Sequence, residues 1–412
     1  MDIRTQRTVD RWVGIPLCAA LSAWHACVSA LGLAKPATMP RRILVVLLSE
    51  MGSLVLAEPM LRELRARHPG AELHFLLFAR NRQVLDLLRI VDADRVIEVR
   101  DSSAIDLAMG LFRAISEIRR RRIDTVIDCE LFARVSAVVS GLSGAARRIG
   151  FHRRTQEGLY RGSFFTSAVA YNPYRHLSHQ LLSLARAIDS QTEPPGKEAP
   201  LDAPLTPPEF IADEGEIERE RTAMCESHPS LAGRRIVFLY PSGGLLPIRA
   251  WPLEHFASVA RSLLDDGCAV AVIGMPDDRA LAERLRALVG NHDRCVSLAG
   301  FTRSVRHLMA LFRSGSLIIT NDGGPVQFAA MAGIPSIVLF GPETPALYRS
   351  WSPKARVFFT ALPCAPCLTA YNHRTSPCDG DNQCLKRILP ATVLAAAREM
   401  LTNEAAALNS VP

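Results

Sequence analysis

Short apolar runs alternate with amphipathic segments along most of this chain. From Arg41 onward, runs of strand length occur in ILVVLL, ELHFLLF, DRVIEV, DTVIDCE and RRIGF, and segments with helical spacing separate them. The alternation resumes at Arg235, in IVFLYPSGG, AVAVIGMP, CVSLAG, SLIITNDGG and SIVLFGP. This pattern predicts an α/β protein with two Rossmann-like domains, each built on a doubly wound parallel sheet.

Changes in composition mark the boundaries between these parts. Residues 190–210 are rich in proline and have no periodicity, which is typical of a linker. We therefore divide the chain into an N-terminal apolar segment (1–40), a first Rossmann-like domain (41–190), a proline-rich linker with a helix (191–233), a second Rossmann-like domain (234–390), and a C-terminal helix and tail (391–412).

The chain is basic, with a net charge of +7 and a pI of about 9.0. This balance favours anionic partners such as nucleotides, phosphorylated glycans and acidic lipid headgroups. The cations form no recognised nucleic-acid motif, so nucleic acid is not an expected partner. The densest run, Arg119–Arg122, ends a predicted amphipathic helix, where cations complement the helix dipole.

The segment from Trp12 to Ala34 contains no Asp, Glu, Lys or Arg. At about 1.5 Å per residue, a helix of this length is long enough to cross a bilayer. A spanning helix, an interfacial helix, a signal peptide and a helix packed on the protein are all consistent with the sequence. We favour membrane attachment without secretion, because the rest of the chain has the pattern of a cytosolic nucleotide-binding enzyme.

Three turns of the second domain carry small and polar residues where a predicted strand ends. They are Asn321–Pro325, Tyr240–Ala257 and Ile273–Asp278, and the second of them contains one cation, Arg249. Glycines let backbone amides approach a phosphate, helix N-termini favour negative charge, and arginine offers a fork of donors. We interpret the three turns together as a pocket for a nucleoside diphosphate.

These segments resemble glycosyltransferase family 9, the bacterial heptosyltransferase family of lipopolysaccharide core assembly. YPSGGLLPIRAWP corresponds to the family's PGA…KRWP segment, and TNDGGPVQFAAMAGIPSIVLFGP to its TNDSGPMHLAAALGTPTVALFGP block. In the first domain, ILVVLLSEMGSLVLAEPML and LSGAARRIGF match the family's opening strand–turn–helix and its SGA…RIG strand. The resemblance covers roughly residues 41–402, and the block from Asn321 to Pro342 is its most specific part.

The resemblance implies the GT-B fold, in which two Rossmann-like domains face each other across a crevice. The first domain would bind the acceptor and the second a nucleotide-sugar donor. By the family's default, an ADP-heptose-like donor gives its sugar, with inversion, to a lipopolysaccharide-core or other lipid-linked acceptor at the cytoplasmic face of the bacterial inner membrane. No cofactor or metal is expected for catalysis. The implied donor-binding residues are Ser242, Gly243, Gly244, Arg249, Met275, Asn321, Asp322, Gly323, Gly324, Pro325 and Gln327.

Some positions depart from the family pattern. Ser53 replaces the aspartate expected to act as catalytic base, and a neutral serine cannot remove a proton unaided. Glu50, in the same turn, is our candidate for that carboxylate, although a structural salt bridge explains it equally well. Arg249 replaces a lysine, and Gln327 replaces a histidine and cannot titrate. Our catalytic candidates are Glu50, Ser53 and Arg249.

These departures keep an alternative function open. It is a non-catalytic GT-B protein that binds nucleotide sugar or scaffolds the assembly of envelope polysaccharide. Two further carboxylates near predicted strand ends are Asp128 and Glu130.

Four cysteines fall close together in the second domain, at Cys364, Cys367, Cys378 and Cys384. A CxxC pair followed by two more cysteines fits a structural zinc or iron–sulfur site, although the last spacing matches no standard zinc ribbon. Plain thiols are the other interpretation, and the sequence leaves both open. In either case we expect the loop to brace the donor domain.

A second cationic stretch, Gly150–Gly162, follows the last strand predicted in the first domain. A binding site for a phosphorylated or acidic acceptor and a solvated basic loop are both consistent with it. The acceptor-binding candidates are His152, Arg153, Arg154 and Arg161.

Overall fold

Each strand of the computed structural model belongs to one of two six-stranded sheets. The structure describes residues 3–36, 38–48, 50–131, 133–152, 160–197, 205–369 and 374–409. Contacts divide the chain into two units, residues 1–204 and 205–412, and the division falls inside the predicted linker, 191–233.

The first unit carries a parallel sheet with the strand order β3-β2-β1-β4-β5-β6. Its strands are β1 (Arg42–Val46), β2 (Glu72–Phe78), β3 (Val96–Val99), β4 (Thr125–Asp128), β5 (Arg147–His152) and β6 (Ser167–Ala170). Its helices are α1 (Ile3–Ala30), α2 (Met51–Arg67), α3 (Arg82–Leu88), α4 (Ala104–Arg120), α5 (Arg134–Leu142) and α6 (Leu177–Arg186).

The second unit repeats this plan with the strand order β12-β11-β10-β7-β8-β9, again parallel. Its strands are β7 (Ile236–Tyr240), β8 (Ala269–Gly274), β9 (Cys295–Ala299), β10 (Leu317–Asn321), β11 (Ser336–Phe340) and β12 (Ala355–Phe359). Its helices are α7 (Glu216–Ser227), α8 (Leu253–Asp265), α9 (Arg279–Leu288), α10 (Val305–Arg313), α11 (Gly324–Ala332), α12 (Pro345–Tyr348), α13 (Gln383–Lys386) and α14 (Pro390–Asn409).

Both faces of each sheet are buried, which explains the unbroken apolar runs in the sequence. In β11, Ile337 and Leu339 pack with α8, α9 and α14, whereas Val338 and Phe340 pack with α11 on the opposite face. In β1, Leu44 packs with α4 and α5, and the side chains that alternate with it are equally buried.

Two strands were not predicted from the sequence, β6 and β12. Each lies at one edge of its sheet, and neither is fully buried, since all five residues of β12 and three of the four residues of β6 are at least partly exposed. A partly exposed strand needs no continuous apolar run, so the pattern that reveals the buried strands is weak there. The other two edge strands, β3 and β9, were predicted from the sequence. Helices α3, α6, α12 and α13 were missed as well.

Helix α1 packs against α5. Within the described part of the chain, its segment Arg7–Ala30 is the one helix that is long and apolar enough to cross a membrane by length and composition. The contact with α5 corresponds to one of the four alternatives that the sequence left open, a helix packed on the protein.

Candidate active site

The order in which strands are added to the second sheet reverses between β7 and β10, although all the strands run parallel. Strands β8 and β9 extend the sheet on one side of β7, whereas β10, β11 and β12 extend it on the other. The loops that leave the carboxyl ends of β7 and β10 therefore diverge, and ligands of doubly wound sheets bind in the opening between such loops. Both of the most distinctive sequence motifs, Tyr240–Ala257 and Asn321–Pro325, lie at this point.

Asn321 ties these two loops together. Its side-chain amide donates to the carbonyl oxygens of Pro241 (3.0 Å) and Ser242 (3.1 Å), and its Oδ1 accepts from the Trp251 amide (2.9 Å). The residue is fully buried. Its side chain is thus engaged with protein partners, and its observed role is to hold the loop after β7 against the end of β10.

Arg249 and Asp322 face each other across the same point. Arg249 Nη1 lies 3.5 Å from Asp322 Oδ2, and only 15% and 7% of the two side chains are exposed. The Nε of Arg249 is buried and has no hydrogen-bond partner among the described residues. A buried guanidinium donor without an acceptor is costly, and an anionic ligand would satisfy it.

The turn after β7 needs glycine for two different reasons. A Cβ at Gly243 would lie 2.7 Å from the Leu246 carbonyl oxygen, so the backbone closes tightly on itself there. Gly244 has φ +60 and donates its amide to Ser242 Oγ (3.1 Å). Burial raises the pKa of Tyr240, whose hydroxyl hydrogen-bonds Ser242.

The N-terminus of α11 forms the other side of the site. Gly323 precedes the helix, and Gly324 and Pro325 begin it. The first amides of a helix lack intrahelical acceptors and carry a partial positive charge. A Cβ at Gly323 would lie 3.8 Å from Pro325 and one at Gly324 3.7 Å from Phe328, which are ordinary van der Waals distances. Both glycines are partly exposed, so the start of the helix opens to solvent. This opening is suited to an anion.

Two other predicted donor residues differ in their surroundings. Gln327 is buried on α11 and donates from Nε2 to the Tyr348 carbonyl oxygen (3.0 Å), which ties α11 to α12. Met275 follows β8 and is 68% exposed, and its amide donates to Asp278 Oδ2 (2.8 Å).

The cysteine-rich loop reaches the site through contacts that the sequence did not reveal. Asn382 Nδ2 donates to the Ile248 carbonyl oxygen (2.7 Å), immediately before Arg249, and Trp251 Nε1 donates to the Ile388 carbonyl oxygen (3.0 Å). The expectation that the loop braces this domain thus has a physical basis. No local motif marks Asn382, because its partner lies 134 positions away in the sequence.

The proposed four-cysteine metal site is not supported. Among the described residues, no group of three or more His, Cys, Asp or Glu side chains is arranged to hold a metal ion. Cys384 is buried, and burial raises the pKa of its thiol, whereas Cys364 and Cys378 are exposed. The structure records all four as free cysteines, with Cys367 Sγ 3.1 Å from Ser376 Oγ.

In the first unit, the equivalent reversal lies between β1 and β4. Glu50 follows β1 and is the N-cap of α2, where the helix dipole favours its negative charge. Ser53 Oγ donates to Glu50 Oε2 (3.3 Å). Glu50 is half-buried, whereas Glu130 is 5% exposed and accepts from the Leu48 amide (2.7 Å). Glu50 is therefore the more accessible of these two carboxylates.

Arg161 requires a correction. We expected it on a basic, acceptor-binding loop, but it is only 3% exposed, and its Nη2 donates to Asp128 Oδ2 (2.5 Å) and Ser136 Oγ (3.0 Å). Burial raises the pKa of the Asp128 carboxyl, and the Arg161 charge acts in the opposite direction. The pair is structural because neither group is accessible. His152 ends β5, and Arg153 and Arg154 lie outside the described residues.

With this geometry in place, comparison with known proteins identifies the family. The model of glycosyltransferase family 9 (heptosyltransferase) matches residues 111–376, well over half of the chain. The chain belongs to this family. It is therefore a glycosyltransferase, and the matched segment includes both motifs of the second domain.

Two relatives of this family align over nearly their whole length. Lipopolysaccharide heptosyltransferase 2 of Salmonella typhimurium is 25% identical over 375 residues, which cover 88% of this chain and 99% of the relative. The enzyme of the same name from Escherichia coli K12 is 25% identical over 383 residues, which cover 89% and 100%.

Solved structures show the same fold. An E. coli ADP-heptose lipopolysaccharide heptosyltransferase II has a TM-score of 0.69 at 23% identity, with 88% of this chain and 99% of that chain covered. An E. coli heptosyltransferase solved with ADP-2-deoxy-2-fluoro heptose has a TM-score of 0.58 at 18% identity, with 87% and 99% covered. The predicted GT-B class of two Rossmann-like domains is confirmed.

Proposed function

We propose that this glycosyltransferase transfers a heptose from ADP-heptose, with inversion, to the core of lipopolysaccharide at the cytoplasmic face of the inner membrane. The observation that carries the proposal is the site at the β7/β10 reversal, with a buried, unsatisfied guanidinium nitrogen on Arg249 beside an open helix N-terminus. The names of the full-length relatives support the sugar and the acceptor.

In this proposal, the donor's diphosphate lies at the N-terminus of α11. Arg249 and the amides around Gly243 and Gly324 would stabilise the negative charge that develops as the nucleoside diphosphate leaves. Each preorganised donor of this kind contributes roughly 10²–10³ in rate in enzymes where one has been removed. Asp322 would accept from a sugar hydroxyl while its charge keeps the Arg249 side chain in place.

Glu50 would act as the general base that takes the proton from the acceptor hydroxyl. Its carboxylate already accepts from Ser53, so the serine orients the base rather than replacing it. This division of roles accounts for a serine at the position where the family expects an aspartate.

Calorimetric titration of the full chain tests the nucleotide, with ADP, GDP, UDP and CDP compared under identical conditions. We expect ADP to bind most tightly. Transfer is then measured by mass spectrometry with ADP-heptose and two truncated lipopolysaccharide cores, one without heptose and one carrying a single heptose. A preference for another nucleotide would contradict the donor assignment. Tight binding without transfer to either core would favour the non-catalytic alternative.

A further inference from the structure

Helix α1 contacts the first domain through its polar and small residues. Asp10 Oδ1 accepts from the backbone amides of Arg134 (2.8 Å) and Val135 (3.0 Å), so α1 supplies the cap for the N-terminus of α5. Asp10 Oδ2 also pairs with Arg134 Nη1 (3.1 Å), and Arg134 is only 3% exposed. Further along the interface, the His25 ring lies 2.9 Å from the Gly141 carbonyl oxygen.

The opposite face of α1 is apolar and exposed. Trp12 is 72% exposed and Trp24 is 65% exposed. Other exposed large apolar side chains are Val9, Val13, Ile15 and Leu17 on α1, and Leu31 and Leu33 just after it. A surface helix that faces water normally has the opposite arrangement, with its apolar stripe packed against the protein and its polar residues exposed. The exposed face of α1 is therefore suited to lipid rather than to water.

A second apolar stripe occurs on α4, at Ile105, Met109 and Phe112. Their spacing places them on one side of the helix, and they are 70%, 47% and 74% exposed. Helices α4 and α5 pack on the same face of the sheet, and Arg119 Nε ties them together by donating to the Leu142 carbonyl oxygen (2.8 Å). Because α1 covers α5, both exposed stripes belong to this side of the domain.

Cations accompany the two apolar stripes. Arg11 precedes Trp12 on α1, Arg113 follows Phe112 on α4, and both are exposed. Lys35 follows α1, and Arg119–Arg122 lie at and just after the end of α4, where Arg120 and Arg121 pair with Glu117. Exposed aromatic and aliphatic residues together with arginine and lysine are typical of helices that lie in the headgroup region of an anionic membrane.

We propose that α1 and α4 form a membrane-binding surface on which α1 lies in the plane of a bilayer containing anionic lipids. A spanning α1 would withdraw Asp10 from the N-terminus of α5 and leave the buried Arg134 without its carboxylate partner, so the observed contacts favour the in-plane arrangement. This inference rests on the proposed function only in that it names the surface through which the enzyme meets the membrane.

Flotation with lipid vesicles tests whether this surface binds a membrane. The assay contains no nucleotide and no acceptor, so its outcome is independent of catalysis. The full chain is mixed with vesicles of phosphatidylcholine alone or with phosphatidylglycerol added. We expect binding to the anionic vesicles, reduced roughly 10-fold or more by Trp12→Ser with Trp24→Ser and several-fold by Ile105→Ser with Phe112→Ser. The matched control is Ile211→Ser with Leu389→Ser, two exposed apolar residues of the unit that spans residues 205–412.

Three results would overturn the proposal. The first is that the wild type binds neither kind of vesicle. The second is that the control pair of substitutions weakens binding as much as the tryptophan pair. The third is that the wild type is a dimer in solution and that Trp12→Ser with Trp24→Ser dissociates it. In the last case, a second copy of the chain covers the exposed face of α1.

Quenching of tryptophan fluorescence by brominated lipids separates the in-plane arrangement from the spanning one. Trp12 and Trp24 are about 18 Å apart along the helix axis. The depth of each tryptophan in the bilayer is obtained from the difference in quenching between the wild type and the variant in which that tryptophan is replaced by phenylalanine. In-plane binding predicts the same shallow depth for both residues. Clearly different depths would show that α1 crosses the bilayer and would refute the in-plane arrangement.

Discussion

Replacing Arg249 by alanine tests whether its guanidinium binds the donor or only neutralises Asp322. The two side chains are 3.5 Å apart and largely buried. Removing one partner of a fully buried ion pair costs roughly 3–5 kcal/mol, because the other charge is left without compensation. We expect about 2 kcal/mol here, since the pair is long and part of Arg249 reaches solvent.

The effect on donor binding has a separate physical origin. If Arg249 also donates to the diphosphate, its removal loses one or more charge-assisted hydrogen bonds, worth roughly 1.5–3 kcal/mol. The Kd for ADP would then rise roughly 10- to 150-fold. Arg249→Lys keeps the charge but not the fork of donors, so its Kd should fall between those of the wild type and Arg249→Ala.

A double-mutant cycle separates the two effects. Thermal unfolding and calorimetric ADP titration are measured for the wild type, Arg249→Ala, Asp322→Asn and the double variant. In the double variant the uncompensated carboxylate is gone, so stability should recover while ADP binding stays weak. If the double variant binds ADP as tightly as Asp322→Asn alone, Arg249 has no role beyond its ion pair and our description of the donor site is wrong.

Four further predictions address other parts of the molecule. Glu50→Gln should lower the transfer rate roughly 10²- to 10⁴-fold with the ADP affinity unchanged, and a drop in unfolding temperature alone would indicate a structural role instead. Asn382→Ala removes the hydrogen bond to the Ile248 carbonyl oxygen, which precedes Arg249, and should raise the Kd for ADP by about 10-fold in titration. Asp381→Ala should leave the Kd unchanged. Burial lowers the pKa of His74 in the folded protein, so the unfolded chain takes up the proton first as the pH falls through about 6.5. The free energy of unfolding, measured with urea, should therefore decrease toward acid pH, by at most ~1.4 kcal/mol per pH unit for this residue. The dependence on pH should be flatter in His74→Gln. Treatment with EDTA should leave the unfolding temperature unchanged, and a decrease would show that the clustered cysteines hold a metal after all.

The sequence predicted the interior of each sheet well because those strands are buried on both faces. The run ELHFLLF, for example, coincides with β2. The edge strands β6 and β12 are half-exposed, and their composition therefore carries less information. Burial also explains the error at Arg161, since a charged residue in a loop is usually exposed and its buried partner, Asp128, lies 33 positions earlier in the chain.

The place of the candidate site at the ends of β7 and β10 was predictable, because it depends on local signals, namely glycine-containing turns that follow apolar runs. The role of Asn321 was not, because its hydrogen bonds require β7 and β10 to be neighbours, and strand order is not a local property. The orientation of α1 is an intermediate case. Asp10, Gly14, Cys18, Ser22 and His25 recur at helical spacing, so the sequence alone already shows that the polar stripe forms one face.

The two domains position their candidate catalytic residues by the same arrangement of hydrogen bonds. In the first, the Leu48 amide after β1 donates to Glu130 beyond the end of β4, and Glu50 follows two residues later. In the second, the Trp251 amide donates to Asn321 at the end of β10, and Arg249 stands two residues before it. Each candidate catalytic group thus adjoins a backbone amide that a side chain from the neighbouring strand holds in place. Because that support does not involve Ser53 or Arg249, those two positions can differ from the family pattern while the scaffold of the site is unchanged.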